Sequence, residues 1–254
     1  MILSFWNQYK FIPDTIIKMI TAYYGEMRKK SVYKRYIPSP GKWISCTPRF
    51  DADLSDVLIT NVSYGIDFSL YLDREGCIYS RGDNTKSQLG VSYGKALTHD
   101  YVTEPMLISS FVDHAGSIIN KVRVIQICTG YYHSLILSEH GGVCAWGDNS
   151  KGQCGVGKMK QIVHKPQIIE ALMGNEIMEI QAHEYNSYAR SKDDKHWIWG
   201  DNKYGICSME QRPTPKEKDI QYVPYRLDEI FLQRTSKRID RAYLEYESLY
   251  VIPT

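Results

Sequence analysis

The sequence predicts an all-β fold, a propeller-type stack of four-stranded blades (three full, one composite) behind a short N-terminal helix. Two observations carry that expectation. The tripeptide Gly-Asp-Asn recurs at 82–84, 147–149 and 200–202, inside three 26-residue blocks (65–90, 130–155, 183–208) that align without a gap. Blocks one and two agree at 11 positions and blocks two and three at nine, where unrelated segments agree at roughly two. The second observation is that each block reads as strand, turn, strand, with further β-rich runs upstream.

The chain divides by composition into a helix and basic linker at 1–40 and a repeat domain at 41–254. Residues 13–24 read as one short amphipathic helix. Pro13 suits a first helical position, Asp14 the positive end of the dipole, and Gly25 the stop. Ile16, Ile17, Ile20, Tyr23 and Tyr24 share one face. Arg28, Lys29, Lys30, Lys34 and Arg35 follow as a solvated linker, the one place where nucleic-acid phosphates or an import receptor find a cationic run. No Arg precedes residue 28, which argues against a mitochondrial presequence.

Each block opens with a strand: Phe68–Leu72, His133–Leu137 or Asn186–Arg190. A turn at Gly76, Gly141 or Asp194 leads to a second strand ending at Arg81, Trp146 or Trp199. Gly82, Gly147 and Gly200 then accept a positive φ, while Asp83, Asp148, Asp201 and Asn84, Asn149, Asn202 suit turns because their side chains bond nearby backbone N–H groups. Upstream lie a β-rich run (122–128) and a Pro-led apolar segment (105–108, 166–169), so that each unit counts about four strands. Residues 239–242 and 248–251 match the opening strands of a fourth unit, and 41–46 mimic its second hairpin strand. Together they form the expected composite blade.

These residues resemble the regulator of chromosome condensation repeat family. The second block matches its pattern at Gly130, His133, Ser134, Leu137, Gly141, Val143, Trp146, Gly147, Asn149, Gly152, Gln153 and Gly155. The resemblance covers about residues 60–210 and implies a propeller. The family usually makes seven blades, more than 254 residues hold at these spacings, so the chain is expected as a small closed ring, an open arc or half of a homodimer. Residues 13–24, through Pro13, Asp14, Ile16, Ile17 and Ile20, resemble the first helix of an F-box over about a dozen positions.

Net charge is +2, with a balance of +7 over residues 1–50 and −5 over the rest. That excludes a protein built wholly for nucleic acid, and the absence of 18 consecutive apolar residues excludes a helical membrane span. Six cysteines without a C-x-x-C pair, and no signal peptide, read as reduced thiols in the cytoplasm or nucleus. Gly152–Lys158 satisfies a phosphate-loop pattern, but Met159 stands where Ser or Thr is required. His133 and Ser134 point to opposite strand faces, so they do not form a base–nucleophile pair. The Asp83, Asp148 and Asp201 column and the His133 column read as structural, Trp146 and Trp199 as packing between blades, and Cys154 and Cys207 as core. No cofactor, metal spacing or catalytic residue is predicted.

The link between blocks one and two is 39 residues long against 27 between two and three. Its extra residues place Tyr93, His99, Tyr101, Phe111 and His114 as the expected partner-binding set. The expected function is a non-catalytic protein-interaction scaffold. The alternatives are a guanine-nucleotide exchange factor for a small GTPase, implied by the resemblance, and an F-box-like adaptor contacting a ubiquitin-ligase subunit.

Overall fold

The computed structural model describes residues 57–91, 101–113, 115–119, 122–157, 160–208, 219–245 and 248–254, with the backbone of two short strands at 34–35 and 44–45. Two compact units are present, Met1–Ala52 and Asp53–Thr254. In the first, β1 (Lys34–Arg35) pairs antiparallel with β2 (Ile44–Ser45). The predicted helix at 13–24 and the basic residues Arg28, Lys29 and Lys30 lie outside the described residues.

The second unit contains three four-stranded antiparallel blades and half of a fourth. Blade one is β3 (Ile59–Tyr64), β4 (Phe68–Asp73), β5 (Ile78–Asp83) and β6 (Tyr101–Leu107), hydrogen-bonded in that order. A small hairpin, β7 (Phe111–Val112) and β8 (Ile118–Ile119), follows. Blade two is β9 (Val124–Thr129), β10 (His133–Ser138), β11 (Val143–Asp148) and β12 (Ile162–Ile168). Blade three is β13 (Ile177–His183), β14 (Asn186–Ser191), β15 (His196–Asp201) and β16 (Ile220–Arg226). A helix, α1 (Leu227–Thr235), then leads to β17 (Ile239–Glu245) and β18 (Ser248–Pro253), which pair with each other.

The hairpins form where the turn chemistry places them. Gly76 and Gly141 adopt φ of 86° and 78°, and Asp194 adopts 55° in the same column. In the first hairpin the Asp73 carboxylate accepts the N–H groups of Glu75 and Cys77 at 2.9 and 2.8 Å, closing the loop from inside. Fourth strands carry Pro105, Pro166 and Pro224. Each falls in a stretch where register shifts against the third strand, opposite Arg81, Trp146 and Trp199, so the missing N–H breaks no regular ladder pair.

Three features differ from the sequence expectation. The Pro-led strands close the preceding blade instead of opening the next, as β6 pairing with β5 shows; linear order does not reveal which hairpin a connecting strand joins. Ile44–Ser45 pairs with Lys34–Arg35, and among the described residues β17 and β18 form a sheet of two strands, so the composite of 41–46 with the C-terminal strands is not among the observed pairings. Helix α1 was not foreseen. Only Leu227 and Phe231 of it are buried, one turn apart, too sparse a stripe to read as periodic.

Successive blades touch along their first strands, and a continuous core runs from Phe68 and Leu70 through Leu135, Ile136 and Trp146 to Ala189 and Trp199. A second cluster joins Tyr188 and Ile198 of blade three to Leu227 and Phe231 of α1 and Ile239 and Ala242 of β17. Glutamine amides stitch the first strands together. Gln126 donates to the Ile180 carbonyl at 2.8 Å and accepts the Ile180 N–H at 3.1 Å. Gln181 repeats this with the Ala242 carbonyl and the Leu244 N–H, both at 3.1 Å.

Candidate functional site: the loop-bearing face

In every blade the turn joining first to second strand and the loop leaving the third strand emerge at the same end. Backbone bonds tie them: the N–H groups of Asp83, Asp148 and Asp201 donate to the carbonyls of Asp67, Tyr132 and Tyr185 at 2.8, 2.9 and 3.1 Å. This end is the candidate site.

The Gly-Asp-Asn residues organise its loops. Asp83 accepts from Thr85 N–H and hydroxyl at 3.1 and 2.9 Å and from the Gln88 amide. Asp148 accepts from Ser150 N–H and hydroxyl and the Gln153 amide at 3.1, 3.0 and 3.0 Å. Asp201 accepts from Lys203 N–H at 3.0 Å. Asn84, Asn149 and Asn202 accept the N–H groups of Leu89, Cys154 and Cys207 at 3.1, 3.0 and 2.9 Å. The three carboxylates therefore serve three separate loops. Among the described residues, no group of three or more His, Cys, Asp or Glu is placed to hold a metal ion.

The folded loops of blades one and two each aim one carbonyl at the next blade. The Gln88 carbonyl of blade one accepts from the Ser134 hydroxyl and the Trp146 indole of blade two at 2.9 and 2.8 Å. The Gln153 carbonyl of blade two accepts from Ser187 and Trp199 of blade three at 2.8 and 2.9 Å. Both indoles are fully buried. Gly90 and Gly155 lie flat against them with φ of +65° and +70°, and an added Cβ there would approach the indole nitrogens to 2.6 and 2.7 Å.

His133 bridges blades as well. Its Nε2 lies 2.8 Å from the Ser187 hydroxyl, which already gives its proton to the Gln153 carbonyl, so Nε2 is the donor and the imidazole is neutral. Burial pulls its pKa down to about 3. A histidine that donates to a serine does not activate it, and both side chains are sealed from solvent. Burial likewise raises the thiols of Cys128, Cys154 and Cys207, and lifts Cys144 to about 12, so none is poised as a nucleophile.

Of the five partner-binding residues expected from the sequence, the two that the structure describes, Tyr101 and Phe111, lie apart. Tyr93, His99 and His114 lie outside the described residues. Tyr101 is 56% exposed at the start of β6, whereas Phe111, beyond the other end of that seven-residue strand, is 5% exposed and part of the core. A strand of that length spans about 20 Å. Much of the extra length in this link builds β7 and β8, with Val112 pairing parallel to Gln167 of β12. It braces blade two instead of presenting Phe111 to a partner.

Sequence reasoning passed over a tyrosine cluster at the turns. Tyr131 meets Tyr185 edge-on at 5.4 Å, lies 6.4 Å from Tyr132, and donates to the Glu184 carboxylate at 2.8 Å. The Lys203 ammonium stands 4.8 Å over the Tyr204 ring. Tyr185 and Tyr204 line a shallow recess with Glu184 and Lys203. The signal was the Tyr131-Tyr132 pair recurring as Glu184-Tyr185 in the turn column of the aligned blocks.

With this architecture in place, the comparisons with known proteins identify the repeat. A model of the regulator of chromosome condensation (RCC1) repeat matches residues 75–137 and 140–189, and a second model of that repeat matches 124–153. Residues 75–189 carry RCC1 repeats. Solved structures align with the chain. Human WBSCR16 superposes with a TM-score of 0.59 at 22% identity, covering 76% of this chain and 44% of that one. Yeast RCC1 (Prp20), solved bound to Kap60, gives 0.55 at 21%, covering 79% and 42%. Among curated relatives, the probable E3 ubiquitin-protein ligase HERC6 of Homo sapiens is 29% identical over 166 residues, 65% of this chain. The mitochondrial RCC1 domain-containing protein RUG3 of Arabidopsis thaliana is 33% identical over 165 residues. The chain spans 15% of HERC6 and 34% of RUG3, so these RCC1 repeats correspond to part of each. No helix among the described residues is long and apolar enough to cross a membrane.

Proposed function

We propose that this RCC1-repeat chain is a non-catalytic protein-interaction scaffold whose loop-bearing face meets a partner protein. One observation carries the reading. The conspicuous polar side chains of the repeat are committed to internal bonds, while the tyrosines of the turns stay half-buried at the surface among charges of both signs. Tyrosine supplies large contact area at low entropic cost, the character of interface anchors. HERC6 is described as a probable ubiquitin ligase, which fits these repeats acting as the part of a larger assembly that holds another protein. Reduced thiols fit a cytoplasmic or nuclear location. Lys34 and Arg35 lie in β1, within a unit where any phosphate contact through the basic run would fall.

A photo-crosslinking residue placed at Tyr204 tests this in cells expressing the protein. A discrete set of protein adducts from position 204, absent when the same group replaces Val223 on β16, is the expected outcome. Equal adducts from both positions refute the assigned face. Prp20p is described as binding Gsp1p and histones. Acceleration of nucleotide release from a small GTPase by the purified chain would replace the scaffold reading with the exchange reading. Loss of all adducts on removing residues 1–27 would favour the adaptor.

A further inference from the structure

We infer that the seam between blades one and two carries an oxyanion site, built on Ser87, His164 and Lys86, that takes a phosphate monoester borne by a segment of a partner protein. The site uses none of the tyrosines at the turns and so goes beyond the scaffold reading.

The repeats act as controls for one another. The column of Ser87 holds Gly152 and Gly205 in the sister loops, with φ of 75° and 83°. Ser87 adopts 59° in the same place, a left-handed conformation that strains a residue carrying a Cβ. The loop does not need that side chain. Ser87 N–H bonds the Asn84 carbonyl just as Gly152 bonds Asn149 and Gly205 bonds Asn202. The hydroxyl instead reaches across the seam, where its oxygen stands 2.8 Å from Nδ1 of His164 on β12. His164 breaks the repeat as well, since by strand register its column holds Thr103 on β6 and Tyr222 on β16. Two departures from the pattern therefore meet each other, at the surface, at a backbone position under strain. Strain that the fold does not require points to a function.

The pair always has a donor to spare. When Nδ1 accepts the hydroxyl proton, the Nε2–H is left over; when Nδ1 donates, the hydroxyl proton is. Among the described residues Ser87 is the imidazole's one hydrogen-bond partner. Lys86, exposed and next in the chain, brings an ammonium to the same loop.

Charge selects the ligand. Between Asp148 and Glu170 the sequence holds Lys151, Lys158, Lys160, His164 and Lys165 without a single acid. Among the described residues none of Lys86, Lys151, Lys160 and Lys165 forms an ion pair, whereas Arg190, Lys192, Lys195 and Arg226 of blade three all do. This local excess sits in a stretch, residues 51–254, that carries −5 in total. A polyanion laid across it would be repelled over most of its length. One dianionic group on a protein segment needs only the cationic spot, and its oxygens accept charge-assisted bonds from hydroxyl, imidazole and ammonium.

The experiment follows the His164 imidazole signals by NMR while the full chain is titrated with inorganic phosphate, ionic strength being held constant with chloride. Saturable shifts are expected with phosphate and none with chloride alone. The tripeptide Gly-phosphoserine-Gly should shift the same signals at least as strongly, and Gly-Ser-Gly should leave them in place. Ser87→Gly restores the residue of the sister loops and suits the φ there, so the fold is kept; it should weaken phosphate binding about threefold or more, as should Lys86→Gln. Equal shifts with chloride, unaltered affinity in Ser87→Gly, or binding of phosphate without binding of the phosphorylated tripeptide overturns the inference. So does saturation by a short single-stranded oligonucleotide at lower concentration than by that tripeptide, which assigns the site to nucleic acid. None of these results bears on adducts formed at Tyr204.

Discussion

His133 ties the chemistry of one side chain to the stability of the stack. Desolvation holds its folded pKa near 3, well under the unfolded value of 6.5. The unfolded chain thus takes up a proton that the folded chain refuses. Stability is full above about pH 6.5 and falls as pH drops toward 3, at about 1.4 kcal/mol per pH unit per histidine. Burial lowers His183 and His196 in the same direction, adding to the slope. Asn occupies the His133 column in blade three, so His133→Asn should be tolerated and should remove about one histidine's share of the slope. Urea unfolding at pH 7.5, 6 and 5 measures this, and an unchanged slope refutes the assignment. The Nδ1 atom of His133 has no hydrogen-bond partner, which makes a charged imidazole there costlier still.

At the scale of elements, the shared carbonyl is the joint between blades. Ser134 and Trp146 both donate to the carbonyl of Gln88, so either alone keeps it satisfied. Ser134→Ala and Trp146→Phe should each cost about 1 kcal/mol, and the double variant more than their sum, because a buried acceptor is then orphaned. Denaturant unfolding of the four proteins gives the coupling, and strict additivity would refute the joint. Most hairpins could be read from residue columns because turn chemistry is local: Gly76 and Gly141 sit where φ must be positive. The blade boundary could not, because β6 is equally distant in sequence terms from either neighbour and only its pairing with β5 decides. The site was legible in part. Asp83, Asp148 and Asp201 announced ordered loops, but loop length misdirected attention to Phe111, whose alternation in a two-residue strand is too short to reveal burial.

Across the whole molecule the joints are unequal. Between blades three and four, Ile206 and Leu249 occupy the columns of Gln153 and Ser187, so position 206 offers the Asp201 carboxylate no amide as Gln153 does Asp148, and no hydroxyl sits at the latch position of β18. That interface rests on the Gln181 amide and the smaller apolar cluster around Leu227, Phe231, Ile239 and Ala242. In repeat proteins, stability is approximately a sum over units and their neighbours. Amides of β17 and β18 should therefore exchange at least tenfold faster than those of β9 to β11 by native-state hydrogen exchange; uniform protection would contradict this. The joints also have a direction. Gln88 and Gln153 offer their carbonyls before Ser134, Trp146, Ser187 and Trp199 come along the chain to use them. A ribosome, working from the amino terminus, thus releases every lock before its key, and each newly emerged module finds its berth already standing.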